Sequence, residues 1–171
     1  MVEEGHKFRE KLETTYEDFY RGIYGELVQA VRMLQEEFGE EKVLEAIRRR
    51  RSDAARRWVE EATREEEPVE RFRDFSSSYF KRFAENLRNH QTYTVEEDSE
   101  DRMRYKMTEC IWAKAFRDLK AGDIGYAWLC HSDYAYAEAF HPSIRLERGK
   151  TLMQGDDCCD FDYTWDEKRG S

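Results

Sequence analysis

At 171 residues the chain has the length of one domain, and its net charge of −9, 39% charged residues and mean hydropathy of −1.00 argue against two broad classes. A free-standing nucleic-acid binder carries a basic excess, and a membrane span needs ~18–20 uncharged apolar residues, so neither nucleic acid nor membrane is an expected partner. The acidic start MVEEGHKFREKLE lacks the apolar stretch of a secretory signal, so a cytoplasmic compartment is expected, where the four Cys serve as buried thiols, metal ligands or nucleophiles rather than disulfides.

Residues 1–90 read as helix throughout. Tyr16, Tyr20, Ile23, Leu27, Val31, Leu34 and Phe38 recur every three or four positions, one face of an amphipathic helix closed by Gly39. A second helix places Val43, Leu44, Ile47, Ala54, Trp58 and Ala62 on its buried side and is broken by Pro68. A third carries Val69, Phe72, Phe75, Tyr79, Phe80, Phe83 and Leu87. The period then changes from helical to alternating. Tyr93 and Val95 alternate with polar residues, Asp98-Ser99-Glu100-Asp101 makes a turn, and Met103, Tyr105 and Met107 alternate again, which predicts a β-hairpin. Two helices follow, Cys110–Leu119 and Asp123–Phe140, the second ended by His141-Pro142. Ile144/Leu146, Thr151–Met153 and Cys159/Phe161/Tyr163/Trp165 close the chain as short alternating segments. The expected fold is α+β: one domain over 1–171, helical over 1–90 and mixed over 91–165, with an antiparallel sheet of about four strands packed on helices.

Two features carry a bland reading. Arg48-Arg49-Arg50-Arg51 with Arg56-Arg57 is the only basic block, but Glu40, Glu41, Glu45, Glu60 and Glu61 flank it at helical spacing, as in a solvated, mutually paired face. The stripes Phe72/Phe75/Tyr79/Phe83 and Tyr16/Phe19/Tyr20 read as core, with phenols that could line a pocket for a planar ligand.

Chemistry concentrates at the C-terminal end. Cys110, Cys130, Cys158, Cys159, His131 and His141 all lie in the last 62 residues, since Cys110 is the first of them. Cys130 and Asp133 are three apart and share a helix face, while His131 points about 100° away. In a strand, Cys159 shares the face of Phe161 and Tyr163, and Cys158 that of Asp160 and Asp162. A thiolate nucleophile needs a base and an orienting carboxylate, and zinc needs three or four converging Cys, His or Asp groups. The spacings fit neither template by themselves, and buried Cys110 and Cys159 can equally be small core residues.

Several motifs together carry a resemblance. They are Thr108-Glu109-Cys110-Ile111-Trp112-Ala113, Asp123-Ile124-Gly125-Tyr126, Cys130-x-x-Asp133, Phe140-His141-Pro142 and Lys150-Thr151-Leu152-Met153-x-Gly155-Asp156-x-x-Cys159-Asp160-Phe161. The stretch from about residue 105 to 163 resembles the L-2-amino-thiazoline-4-carboxylate hydrolase family. Its ending also resembles the related 4-vinyl reductase type small-molecule-binding domains. The resemblance implies an α+β hydrolase that adds water to the amidine-like carbon of a small heterocycle and opens it to an N-carbamoyl cysteine. It implies matched positions at Cys110, Cys130, Asp133, Gly155, Asp156, Cys159 and Phe161. On that basis Cys159 is the expected nucleophile, with Asp133 or Asp156 protonating the ring nitrogen or activating water, and Cys110, Cys130 and His131 as further candidates. Arg148 or Lys150 would hold a substrate carboxylate. Tyr105, Trp112 and Tyr126, with Tyr79, Phe83 and Trp128, would line the pocket. No cofactor is expected, although in one variant Cys110, Cys130, Asp133 and Cys159 converge on zinc or another divalent metal. Two other readings are a non-catalytic small-molecule-binding domain, and a helical partner-binding protein that forms a homodimer through its N-terminal helices.

Overall fold

A computed structural model describes residues 13–87 and 89–167, with side chains given outside 80–88. The N-terminal leader reading, Gly170-Ser171 and the side chains of Phe80, Phe83 and Leu87 therefore lie outside the described residues. The fold is α+β. Helices α1 (Tyr16–Phe38), α2 (Glu40–Ala62) and α3 (Phe72–Leu87) precede strands β1 (Gln91–Asp98) and β2 (Arg102–Cys110). Then come α4 (Ile111–Asp118), α5 (Gly122–Gly125), a π-helical turn at Tyr126–Cys130, α6 (Ser132–Phe140), β3 (Ile144–Glu147), a 3₁₀ turn at Leu152–Gln154 and β4 (Cys159–Trp165).

Thr15 caps α1 by accepting the Asp18 amide. Gly39, at φ +92°, is the single residue between α1 and α2, a conformation that favours a residue without Cβ. The buried face of α1 is Tyr24, Val28, Val31 and Gln35. This corrects the expected face: Tyr16, Phe19, Ile23, Leu34 and Phe38 are exposed, so α1 has one packed apolar stripe and one open one. On α2 the buried residues are Val43, Leu44, Ser52, Ala55 and Val59, and Trp58 is exposed. The helix packs chiefly on α6, and then on α1 and the π turn, which sets its rotation.

The four strands pair antiparallel in the order β1-β2-β4-β3. Alternation holds along both central strands. Met103, Tyr105 and Met107 of β2 oppose Tyr163, Phe161 and Cys159 of β4, and all six are buried. Phe72 and Phe75 of α3 cover this face. A second core lies among α1, α2, α4 and α5 around Phe116 and Ile124. Cys110 and Leu152 touch both cores.

Two expected elements differ. Thr151–Met153 forms no strand. Thr151 caps the 3₁₀ turn by accepting the Gln154 amide, and Gly155, at φ +105°, closes it. The expected helix 123–140 is interrupted by the π turn, where the His131 amide reaches back to the Tyr126 carbonyl at 2.9 Å. Among the described residues no helix is long and apolar enough to cross a membrane.

Candidate active site

A cavity of about 220 Å³ lies on the seam between the two cores, walled by β1, β2, α4, the π turn, α6, β4 and single residues of α2, α3 and the 3₁₀ turn, with Arg148 beyond β3. Its walls are mostly aromatic and aliphatic: Tyr79, Tyr93, Tyr105, Trp112, Phe161 and Met153 among them. Three thiols face it, from Cys110, Cys130 and Cys159. So do Asp133, Arg148 and Arg51.

The polar centre is the Asp133–Arg148 pair. The Arg148 side chain is 1% exposed, and its Nη1 donates to Asp133 Oδ2 at 2.6 Å. Nη2 donates to the Cys130 carbonyl at 2.8 Å, and the guanidinium lies 4.9 Å over Phe161 and 5.4 Å over Tyr134. Arg148 Nε is buried without a partner. The Asp133 side chain keeps 29% of its surface, and since Asp133 lines the cavity, it can present that surface to a ligand there. Two effects oppose on its carboxyl: burial raises its pKa, Arg148 lowers it, and burial wins. Desolvation is the largest single effect on Arg148 and lowers its pKa, but the pull of Asp133, Cys130 and Tyr134 together outweighs it and holds the guanidinium charged.

None of the cavity thiols is activated. Burial pushes Cys159 up to about 11, against a small opposing pull from the Leu152 amide, which donates to its Sγ at 3.2 Å. Burial raises Cys110, opposed by the amides at the start of α4 and by Gln91 Nε2, 3.8 Å away. Cys130 is raised further, by burial and then by Asp133. The phenols are also held protonated. Tyr79 Oη lies 3.1 Å from both Tyr105 Oη and Tyr163 Oη, and burial lifts it to about 12.

Of the residues expected at the site, Cys110, Cys130, Cys159, Asp133, Arg148, Tyr105 and Trp112 come together at this cavity. Asp156, His131, Lys150 and Tyr126 do not line it, nor does Trp128. Asp156 accepts the Thr151 amide at 2.7 Å and pins the turn, and Lys150 pairs with Asp157 at 2.9 Å on the surface. His131 packs beside Tyr126 and Tyr134, with its pKa lowered by burial. Cys110, Cys130, Asp133 and Cys159 share the wall, but among the described residues no three His, Cys, Asp or Glu are grouped to hold a metal ion.

Arg51 was missed. Within the basic block, Arg48 pairs with Glu41 and Arg56 with Asp53 and Glu138, as a solvated face would. Arg51 instead turns inward, and its Nε donates to the Trp128 carbonyl at 2.7 Å. The signal was its spacing: four residues after Ile47 and four before Ala55, it lies along the buried stripe of α2.

Residues 16–163 match the model of the L-2-amino-thiazoline-4-carboxylic acid hydrolase family, and the chain belongs to that family. A search of curated proteins gave no match. Among solved structures, the fold is similar to a trafficking protein particle complex subunit 3 from Naegleria fowleri, covalently bound to palmitic acid in its crystal structure. The identity is 14%, 88% of this chain and 95% of that chain are covered, and the TM-score is 0.51, so the likeness is one of fold.

Proposed function

We propose that the chain opens a small cyclic amidine of the 2-amino-thiazoline-4-carboxylate type by direct addition of water, with Asp133 as the general base. The observation that carries this reading is a carboxylate accessible in an aromatic-walled cavity, its charge anchored by Arg148 and its pKa raised by burial. A base whose pKa lies closer to neutrality is better matched to proton transfer at physiological pH.

Water bound beside Asp133 adds to the carbon flanked by two nitrogens and the ring sulfur. Its proton passes to the carboxylate. As the carbon–oxygen bond forms, the pair of the carbon–nitrogen double bond moves onto the ring nitrogen, which takes the proton of the added hydroxyl. The carbonyl then forms, the carbon–sulfur bond breaks, and the sulfur leaves with the proton that Asp133 held. The product is the open carbamoyl thiol: the substrate plus one water. The Tyr79, Tyr105 and Phe161 rings offer planar faces for the heterocycle. The volume corresponds to about seven waters at ~30 Å³ each, which suits one small ring better than a long acyl chain like that named for the Naegleria protein.

Cys159 as nucleophile is the competing arm. With its thiol near 11, only about one in ten thousand molecules carries the thiolate at pH 7, a cost of about 5 kcal/mol before any bond forms. Its observed partner, the Leu152 amide, supports a structural part as an acceptor.

The test compares turnover of the thiazoline by Asp133→Asn, Cys159→Ser and wild type. The expected result is a loss of about 10²–10⁴-fold for Asp133→Asn and near-wild-type rates for Cys159→Ser. Loss of turnover in Cys159→Ser with the fold intact would instead make the thiol the nucleophile. Saturable binding without product by the wild type would make the protein a binding domain.

A further inference from the structure

We infer that Arg51 is an anion-binding subsite of the cavity, its tethered and otherwise unpaired guanidinium taking a carboxylate carried by the ligand. The inference deepens the hydrolase reading and takes the small ring from it, but the anion requirement stands on its own observations.

The first is the fate of the two expected carboxylate holders. Arg148 spends one Nη on Asp133 and the other on the Cys130 carbonyl, and Lys150 sits outside the cavity on Asp157. Arg148 keeps only its buried Nε without a partner, which leaves it no pair of free donors for two-bond recognition of a ligand carboxylate.

The second is the way Arg51 is held. Its Nε is spent on the Trp128 carbonyl at 2.7 Å, and its Cζ lies 5.1 Å from the Trp128 ring centroid. A guanidinium fixed through Nε and one face keeps the two Nη groups for end-on, two-bond recognition of a carboxylate. No described residue forms an ion pair with Arg51, whereas Arg48 and Arg56 on the same helix both have carboxylate partners.

The third is the charge of the cavity. Asp133 and Arg148 cancel. The thiols of Cys110, Cys130 and Cys159 and the phenols of Tyr79, Tyr105 and Tyr136 are all shifted up and stay neutral. Arg51 is the charge left over among the lining residues. Its field reaches inward: burial raises the Tyr136 phenol, and Arg51 opposes that rise, on the wall that also feels Asp133. A half-buried cation without a counter-charge is costly unless something arrives to pair with it. The subsite therefore adds a carboxylate end to a pocket whose other polar end is Asp133.

The probes are 2-aminothiazole-4-carboxylate, whose aromatic ring resists hydration, and the corresponding uncharged carboxamide, titrated calorimetrically into wild type, Arg51→Met and Arg51→Lys. On the wild type the carboxylate is expected to bind about 10- to 150-fold more tightly than the carboxamide, the range for hydrogen bonds to charged groups. Arg51→Met should erase that preference while still binding the carboxamide, which also reports that the cavity has survived. Arg51→Lys should retain part of it. Equal binding of the two probes by the wild type, or an undiminished preference in Arg51→Met, would overturn the inference, and if Arg51→Met fails to fold an undiminished preference in Arg51→Lys would do the same. A preference lost in Arg51→Met while the wild type turns over no thiazoline would retain the subsite and remove the hydrolase reading. The reverse pattern would do the opposite.

Discussion

Replacing Asp133 with Asn removes one charge from a pair that has little other compensation. The Arg148 side chain is 1% exposed and cannot shed its proton, so its charge stays buried. It keeps the Cys130 carbonyl and the two ring faces, but loses its 2.6 Å contact with a carboxylate, and its Nε already has no partner. Breaking a buried pair from one side costs about 3–5 kcal/mol. The 29% of the Asp133 side chain that remains accessible lets water offset part of this, and Asn is spared the burial cost that raises the Asp133 pKa, so the net cost falls below that range, to about 1–2 kcal/mol. For a chain of this size that corresponds to a fall in Tm of roughly 2–8 °C. Arg148→Met leaves a carboxyl that can protonate, so its cost should shrink as the pH is lowered, which that of Asp133→Asn should not. The double variant should lose less than the sum of the singles, since neither charge is then stranded. Thermal melts of the three variants and the wild type at pH 5 and pH 7.5 read all of this. An Asp133→Asn protein melting within 2 °C of wild type, or singles that simply add, would refute the coupling.

Two further outcomes follow from the same geometry. The folded-state pKa of Asp133 is raised, so between its unfolded and folded values the native state binds more protons, and its contribution to stability falls as the pH rises through that window. Subtracting the Asp133→Asn stability curve from that of wild type should show this negative slope, and the acid limb of wild-type kcat/KM should lie above the ordinary aspartate value of about 4; a positive slope would mean that Arg148, not burial, dominates. At Gly125 an added Cβ would sit 2.5 Å from Met153 Sδ and 2.6 Å from Phe116 Cγ, so Gly125→Ala should cost about 1–3 kcal/mol by overpacking and shift Met153 in the cavity wall. Denaturant unfolding together with probe binding would check both effects, and an unchanged midpoint would show that the seam can give way.

Legibility in the sequence followed how local the determining physics was. Alternation is a property of the strand itself, so β2 and β4 were readable, as was the face that carries Cys159, Phe161 and Tyr163. Helix spans were readable for the same reason, with α1 running from Tyr16 to Phe38 as its spacing predicts. The helix faces were not. A helix with apolar residues on more than one side, as α1 has at Ile23 and Tyr24, does not say which side meets the core. The contacts of α1 with α2 and α4 decide it, and those are long-range. The π turn also depends on tertiary packing, and Tyr126-Ala127-Trp128-Leu129-Cys130 carries no Gly or Pro to announce it. Arg51 was hidden by composition: a run of four Arg reads as one solvated unit although its members point in different directions.

The residues that make the family visible do two kinds of work, and only one of them is chemistry. Gly155 closes the 3₁₀ turn at positive φ, Asp156 ties that turn through the Thr151 amide, and Cys159 accepts the Leu152 amide from the strand beneath it. Those three together fix the loop that carries Met153 into the cavity wall. Phe161, two residues beyond Cys159 on the same face, supplies a ring under Arg148. The C-terminal motif is thus the mould, and the carboxylate it surrounds comes from α6. That loop must be held whatever the cavity contains. Two charges at the cavity, Arg148 beyond β3 and Arg51 from α2, lie outside the matched positions and do not hold it. Ligand choice is accordingly better sought at these two residues than in the C-terminal motif.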